Sequence, residues 1–212
     1  MKYKAVLFDM NGVIVNDEPL HTEAFKAVMR DRGQILTDVQ YKQYFAGRTD
    51  KDGFIAYMAA IGQDFNLGQL MQEKARAYLG MAQGTLKPYS GIVECVRALH
   101  QAGLPLALVT GSLRIEAEAV LAAFGMTAYF KAVVAADNVR AGKPDPEGYL
   151  KGSALLHVRP QDCVVVEDTP SGIRAAKAAG MSCVAVSNTH VADELKGADK
   201  VVARLDATSF AT

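Results

Sequence analysis

The sequence lacks any excess of charge. Its 23 Lys and Arg residues balance 23 Asp and Glu, and no run of five like charges occurs. The electrostatic footprint of a nucleic-acid or anionic-membrane partner is therefore missing, and an anionic ligand has to be held locally. Long apolar runs are also lacking. Stretches such as Ala117 to Phe124, interrupted by Glu118, fall far short of the roughly 20 residues that span a bilayer. The beginning Met1-Lys2-Tyr3-Lys4 runs straight into apolar Ala5-Val6-Leu7-Phe8, without the apolar segment and small-residue cleavage site of a secretory signal. A cytoplasmic location and a monomer are the expectations. Cysteine is scarce: Cys95, Cys163 and Cys183 are odd in number, widely spaced and set among apolar residues. They suggest neither a disulfide framework nor a zinc site, but inert buried thiols.

What the sequence does have is a recurrence of short, β-branched apolar runs: Ala5 to Phe8, Leu104 to Val109, Ala132 to Ala135, Cys163 to Val166 and Cys183 to Val186. Such runs read as strands buried on both faces of a parallel sheet. Helix-period segments separate them. The segment after Cys163 to Val166 is punctuated by Thr169 as N-cap, Pro170 at the first helical position and Gly180 as the stop. This alternation predicts an α/β fold with a doubly wound parallel sheet.

About ninety-five residues separate the first strand from the second, far more than one crossover helix needs. Helical spacing recurs inside that interval over Pro19 to Arg32, Asp52 to Ile61 and Leu67 to Tyr78. An inserted α-helical subdomain over residues 16–85 is expected, with the α/β core formed by residues 1–15 and 86–212. The Pro and Gly of Leu86-Lys87-Pro88-Tyr89-Ser90-Gly91 mark the return to the sheet. The hinges are expected near Asn16 to Glu18 and Thr85 to Ser90.

In an open α/β sheet, ligands bind beyond the carboxyl ends of the strands. The first run ends in Asp9, the second in Thr110-Gly111-Ser112 and the fourth in Glu167-Asp168, while Lys143 follows the third run in Gly142-Lys143-Pro144. Carboxylates suit a hard divalent cation such as Mg²⁺; a hydroxyl, a lysine and a small-residue turn suit phosphate oxygens.

Phe8-Asp9-Met10-Asn11-Gly12-Val13, Val109-Thr110-Gly111-Ser112, Lys143-Pro144 and Val166-Glu167-Asp168 resemble the four ordered motifs of haloacid dehalogenase-like hydrolases. The helical insertion resembles the cap of their β-phosphoglucomutase-like phosphatases, on a Rossmann-like core. The resemblance implies a Mg²⁺-dependent phosphatase acting on a small phosphorylated metabolite. In it Asp9 is the nucleophile that becomes an aspartyl-phosphate, Thr110 binds the phosphoryl group, and Lys143 neutralises charge. Asp9, Asp168, the main-chain carbonyl of Asn11 and Glu167 form the metal set, with Glu167 in the shell or beside it.

One position departs from the family pattern. Asn11 stands where these enzymes carry a second aspartate, which protonates the leaving oxygen and then activates the incoming group; an amide does neither. Altered chemistry, a catalytically silent binding protein and a trapped variant all fit this departure. A phosphosugar mutase is the nearest enzymatic alternative. However, Ala46 and Asp50 stand where β-phosphoglucomutases carry the lysine and arginine of a Lys-Gly-x-Ser-Arg pattern, which favours a phosphatase over a mutase. Arg48, His21, Gly111 and Ser112 are further candidates for substrate contact. Ser112 is also the expected N-cap of the following helix, His21 is expected to pack at the hinge, and Gly12, Gly111 and Gly172 are expected at backbone turns.

Overall fold

The computed structural model describes residues 2–210. Strand β1 (Ala5–Phe8) is followed by four helices: α1 (Glu18–Arg30), α2 (Asp38–Tyr44), α3 (Asp50–Ala60) and α4 (Leu67–Ala82). The remaining order is α5 (Ile92–Gln101), β2 (Leu106–Val109), α6 (Arg114–Ala123), β3 (Phe130–Val134), α7 (Glu147–Leu155), β4 (Cys163–Glu167), α8 (Pro170–Ala178), β5 (Ser182–Val186) and β6 (Lys200–Val202), with short 3₁₀ turns between them. All pairings are parallel, and the strand order is β3-β2-β1-β4-β5-β6.

Strand alternation divides the core into two layers. Val6, Phe8, Leu106, Leu108, Val164 and Val166 pack with Ile92, Val96 and Leu99 of α5 and Ala117 and Val120 of α6. Ala5, Leu7, Ala107, Val165 and Cys183 point the other way, onto Tyr149 of α7 and Ile173 and Ala176 of α8. This is a doubly wound α/β sheet, with β1 and β2 apolar throughout and β4 and β5 apolar but for one end residue because both faces are covered. Each fully buried Leu, Val or Phe in these layers contributes roughly 1.5–3 kcal/mol. The three cysteines are buried and unpaired, and burial pushes the Cys163 thiol up to about 11 and Cys95 to about 12.

The four helices between β1 and β2 have their own apolar centre, formed by Phe25, Val28, Met29, Tyr41, Phe45, Phe54, Tyr57 and Leu70. Helix α2 is absent from the sequence expectation. It is only 7 residues long, and it starts on a capping box in which Thr37 accepts from the Gln40 amide while the Gln40 side chain accepts from the Thr37 amide. Gly53 admits the Phe45 ring, since a Cβ there would lie 2.5 Å from Phe45 Cδ1. The two segments joining the helices to the sheet run side by side: Asn16 N donates to Lys87 O at 3.2 Å, and Tyr89 N to Ile14 O at 3.0 Å. No helix among the described residues is long and apolar enough to cross a membrane.

Strand limits agree with expectation at β1 and differ by one or two residues in β2 to β5, and β6 has no counterpart in it. A three-residue edge strand with the exposed Lys200 carries too little apolar pattern to stand out. Helix α8 begins as expected, with Thr169 Oγ1 accepting from Gly172 N at 3.0 Å and Gly180 at φ +73° beyond its end. Ser112 does not cap α6. Leu113 occupies that position, and its amide donates to Glu116 Oε2 at 2.9 Å.

Candidate active site

Strands are added to one side of β1 up to β3 and to its other side from β4 onward, so the carboxyl ends of the adjacent, parallel β1 and β4 open at the switch point where α/β sheets bind ligands. Asp9 follows β1 and is pinned by its amide donating to Val166 O at 3.0 Å. Asp168 follows β4, and Thr110 follows β2 with its amide donating to Val134 O at 2.9 Å. Adjacent parallel strands thereby place residues distant in sequence within one contact shell.

Lys143 Nζ donates to Asp9 Oδ1 and to Glu167 Oε1, each at 2.6 Å. Burial alone would lower the lysine pKa, but the two carboxylates outweigh it and raise it, so Lys143 is a fixed cation. Burial, aided by the Glu167 charge, pushes the Asp9 carboxyl up to about 7 against the pull of Lys143. Asp168 is raised well above its ordinary range by burial and by the charges of Glu167 and Asp9.

Carboxylate oxygens of Asp9, Glu167 and Asp168 lie within 4.8 Å of one another. One lysine cannot neutralise three carboxylates, and Asp168 Oδ1 is buried with no hydrogen-bond partner. An uncompensated buried oxygen in an acidic cluster suits a hard divalent cation. Asp168 Oδ2 is held by the Thr189 hydroxyl, and its side chain occupies the space a Cβ on Gly12 would need, 1.9 Å from Oδ2. Gly12 also sits at φ +80°, so both backbone and space demand glycine.

Glu167, one of the three carboxylates close enough to share a cation, is also held by protein donors at both oxygens. Its Oε1 accepts from Lys143 and from Tyr149 OH at 2.7 Å, and its Oε2 from the Asp168 amide, the Thr169 amide and the Thr169 hydroxyl. Both oxygens are engaged by protein donors, so Glu167 holds Lys143 and the loop after β4. Gly172 is explained by the same crowding rather than by a turn, because a Cβ there would lie 1.7 Å from Glu167 Oε1. Gly111 shows neither a positive φ nor a close approach, with Thr49 Cγ2 at an ordinary 3.7 Å.

A cavity of about 420 Å³ lies over these groups, lined from the sheet side by Asp9, Thr110, Lys143 and Asp168 and from the helical side by His21, Arg48 and Thr49. Gly142, next to Lys143, meets the helical insertion closely: a Cβ there would fall 2.1 Å from Thr49 Cγ2. Arg48 is exposed at the cavity edge and makes no ion pair among the described residues. Arg114 is committed elsewhere, donating to Val133 O at 2.7 Å and Asn138 Oδ1 at 2.8 Å. Ser112 points into the site, its hydroxyl donating to Asn11 Oδ1 at 3.1 Å. His190 lines the cavity beside Thr189.

No local sequence pattern singles out Lys74, Glu116, Tyr149 or Asp17. Lys74 of α4 is fully buried and pairs with Asp50 at 2.7 Å and with Glu116 of α6 at 2.9 Å. Burial would lower its pKa, but these two carboxylates raise it. The pair ties the inserted helices to the sheet layer. Lys74→Met is expected to cost about 3–5 kcal/mol, because it strands two buried carboxylates. Combining it with Asp50→Asn and Glu116→Gln should recover much of that loss. Urea denaturation of the two variants checks this, and equal midpoints would contradict it.

Fold and site together define a hydrolase of the phosphoryl-transfer kind, with a carboxylate nucleophile candidate at the switch point beside a fixed lysine. The family assignment follows from comparison: a model described as haloacid dehalogenase-like hydrolase matches residues 3–180, and the chain belongs to that family. It is 35% identical over 198 residues to validoxylamine A 7'-phosphate phosphatase of Streptomyces hygroscopicus subsp. limoneus, covering 93% of this chain and 92% of the relative. It is 36% identical over 185 residues to fructose-1-phosphate phosphatase of Escherichia coli, covering 87% and 97%. The crystal structure of CbbY from Rhodobacter sphaeroides in complex with phosphate superposes with a TM-score of 0.86 at 26% identity, covering 94% of this chain and 93% of that one. The chain is thus a phosphoric monoester hydrolase of the haloacid dehalogenase-like type.

Proposed function

We propose that this enzyme hydrolyses the phosphate ester of a small sugar or polyol through an aspartyl-phosphate on Asp9, with Mg²⁺ as cofactor. The observation that carries the reading is the Asp9 carboxylate held at 2.6 Å by Lys143 beside the orphaned Oδ1 of Asp168. An oxygen of Asp9 forms a bond to phosphorus as the ester P–O bond breaks, and water then attacks phosphorus, releasing phosphate and restoring the carboxylate. Lys143 stays charged throughout and offsets the charge gathering on the phosphoryl oxygens. The Thr110 hydroxyl is available to those oxygens. Asp9, Asp168 and the Asn11 carbonyl would hold Mg²⁺, which when bound supplies positive charge against the phosphoryl group. Glu167 orients this set without ligating.

In this reading residues 16–85 form a cap over a catalytic core of residues 1–15 and 86–212, and the enzyme works as a cytoplasmic monomer. The cap supplies water exclusion and selects substrate through Arg48, while His21, engaged by its neighbours, shapes the cavity wall. A mutase is disfavoured because Asp50, at the position of the expected arginine, is buried against Lys74.

Phosphate release from a panel of sugar, polyol and acyl phosphates, with Mg²⁺ or with a chelator, tests the proposal. Release that the chelator abolishes is expected. Saturating Mg²⁺ should raise the melting temperature by about 5–10 °C, and Asp168→Asn should erase that shift. Ligand-induced stabilisation without release from any phosphate, and without a phosphoenzyme, would instead identify a silent binding protein.

A further inference from the structure

Asn11 is gripped from both sides. Its Nδ2 donates to Asp17 Oδ1 at 3.0 Å and Oδ2 at 3.1 Å, and its Oδ1 accepts from Ser112 Oγ at 3.1 Å and Thr110 Oγ1 at 3.3 Å. Asp17 precedes α1 and is 1% exposed. Its remaining neighbours are also donors. Tyr78 OH donates to Oδ2 at 2.5 Å, and His21 Nε2 lies 3.2 Å from the same oxygen. The other ring nitrogen of His21 faces Lys74 Nζ at 2.6 Å. An ammonium group only donates, so Nδ1 is the acceptor and a neutral imidazole carries its proton on Nε2, which faces Asp17 Oδ2 at 3.2 Å and lies 3.0 Å from Asn11 Nδ2.

The Asp17 carboxylate favours one orientation of the amide, with its nitrogen toward Asp17. An acceptor-only carboxylate at position 17 demands a donor at position 11, and the two hydroxyls on the far side can then donate to the amide oxygen. A primary amide supplies both from one side chain. A carboxylate at position 11 would face the Asp17 carboxylate across about 3 Å in a buried setting, where like charges repel strongly. The departure at Asn11 and the acid at Asp17 therefore belong to the same local design.

We propose that Asn11 and Asp17 form one functional pair, in which Asp17 is a positioning residue that locks the Asn11 amide with its oxygen toward Thr110 and Ser112. Placing an aspartate at position 11 alone is then expected to recover little acid-base catalysis, because it faces a second buried carboxylate across about 3 Å. Exchanging the two side chains can, since an amide at 17 would donate to a carboxylate at 11 while its oxygen still accepts from Tyr78 and His21. The catalytic half of this proposal rests on the phosphatase reading above; the structural half does not.

The experiment compares the unaltered chain with Asn11→Asp, Asp17→Asn and the double exchange, each mass-verified because Asn11-Gly12 is open to deamidation. Melting temperatures come first. Each single variant is expected to melt about 5–15 °C lower, and the double to regain at least half of the summed loss. Steady-state rates on glycerol phosphate and acetyl phosphate with Mg²⁺ come second. On glycerol phosphate the double exchange should raise kcat on the order of 10²–10⁴-fold with little change in KM, and Asn11→Asp alone should gain less than a tenth of that. Melting losses that simply add in the double variant would overturn the pair, as would Asn11→Asp alone matching the double in rate. Asp17→Asn losing all turnover at an unchanged melting temperature would also overturn it, by making Asp17 a proton-transfer group in its own right. If none of the four proteins cleaves any phosphate, the phosphatase reading fails while the melting cycle still decides the pairing.

Discussion

Mixing the enzyme with acetyl phosphate or an aryl phosphate in the presence of Mg²⁺ is expected to give a burst of leaving group followed by slow turnover, with phosphate accumulating on Asp9. The amide of Asn11 has no proton to give a departing oxygen and no lone pair basic enough to activate water. Acyl and aryl phosphates leave without protonation, so the first half-reaction proceeds for them. Hydrolysis of the aspartyl-phosphate has no such escape, and the intermediate builds up. Sugar and polyol phosphates, whose leaving oxygens are strongly basic, should react slower by roughly 10²–10⁴-fold than they would with a carboxylate in place. Rapid-quench mass measurement of the intact protein follows the adduct directly. A flat dependence on leaving-group basicity, with no phosphoenzyme from any substrate, would show that another group supplies the proton transfer that Asn11 lacks.

Asp9→Asn is expected to remove phosphoryl transfer altogether, a loss of about 10⁴-fold or more. Its fold should survive. Lys143 keeps its contact with Glu167 Oε1 at 2.6 Å when Asp9 loses its charge, and Glu167 keeps the donors that fix it. Removing one of the carboxylates crowded within 4.8 Å also relieves mutual repulsion. The melting temperature without Mg²⁺ should therefore stay level or rise while turnover and burst both vanish. Asp9→Ala gives the same kinetic outcome and guards against reversion of an asparagine by deamidation. Turnover that persists in either purified, folded variant would sink the aspartyl-phosphate mechanism.

The strand-end residues Asp9, Thr110 and Asp168 were legible because each terminates a run of fully buried apolar residues, and a polar group at that point in a parallel sheet has few structural reasons to be there. Lys143 was legible through its place in an ordered set of motifs. Ser112, a candidate both for substrate contact and for the helix cap, does not cap α6. A serine before a helix normally caps it, but here Leu113 takes that position and the Glu116 carboxylate accepts its amide. Lys74 stands in Glu73-Lys74-Ala75-Arg76, a pattern no different from a solvated helix face. Glu116 and Asp17 are equally ordinary in sequence. Their burial depends on helices α1, α4 and α6 converging, and helical periodicity does not encode which neighbouring helix covers a given turn.

Sequence alone determined the class of fold, the insertion between the first two strands and the family, because these follow from local patterns: apolar runs of strand length, helical periodicity, and motifs in fixed order. The tertiary structure decided what each polar group does. Whether Glu167 binds a cation or holds a lysine depends on donors arriving from Tyr149 and the loop after β4. Whether Asn11 is a lost catalytic acid or half of a matched pair depends on which groups stand within about 3 Å of its amide. Hydrogen bonds are short-ranged and directional, so their partners are set only when segments far apart in the chain have packed together.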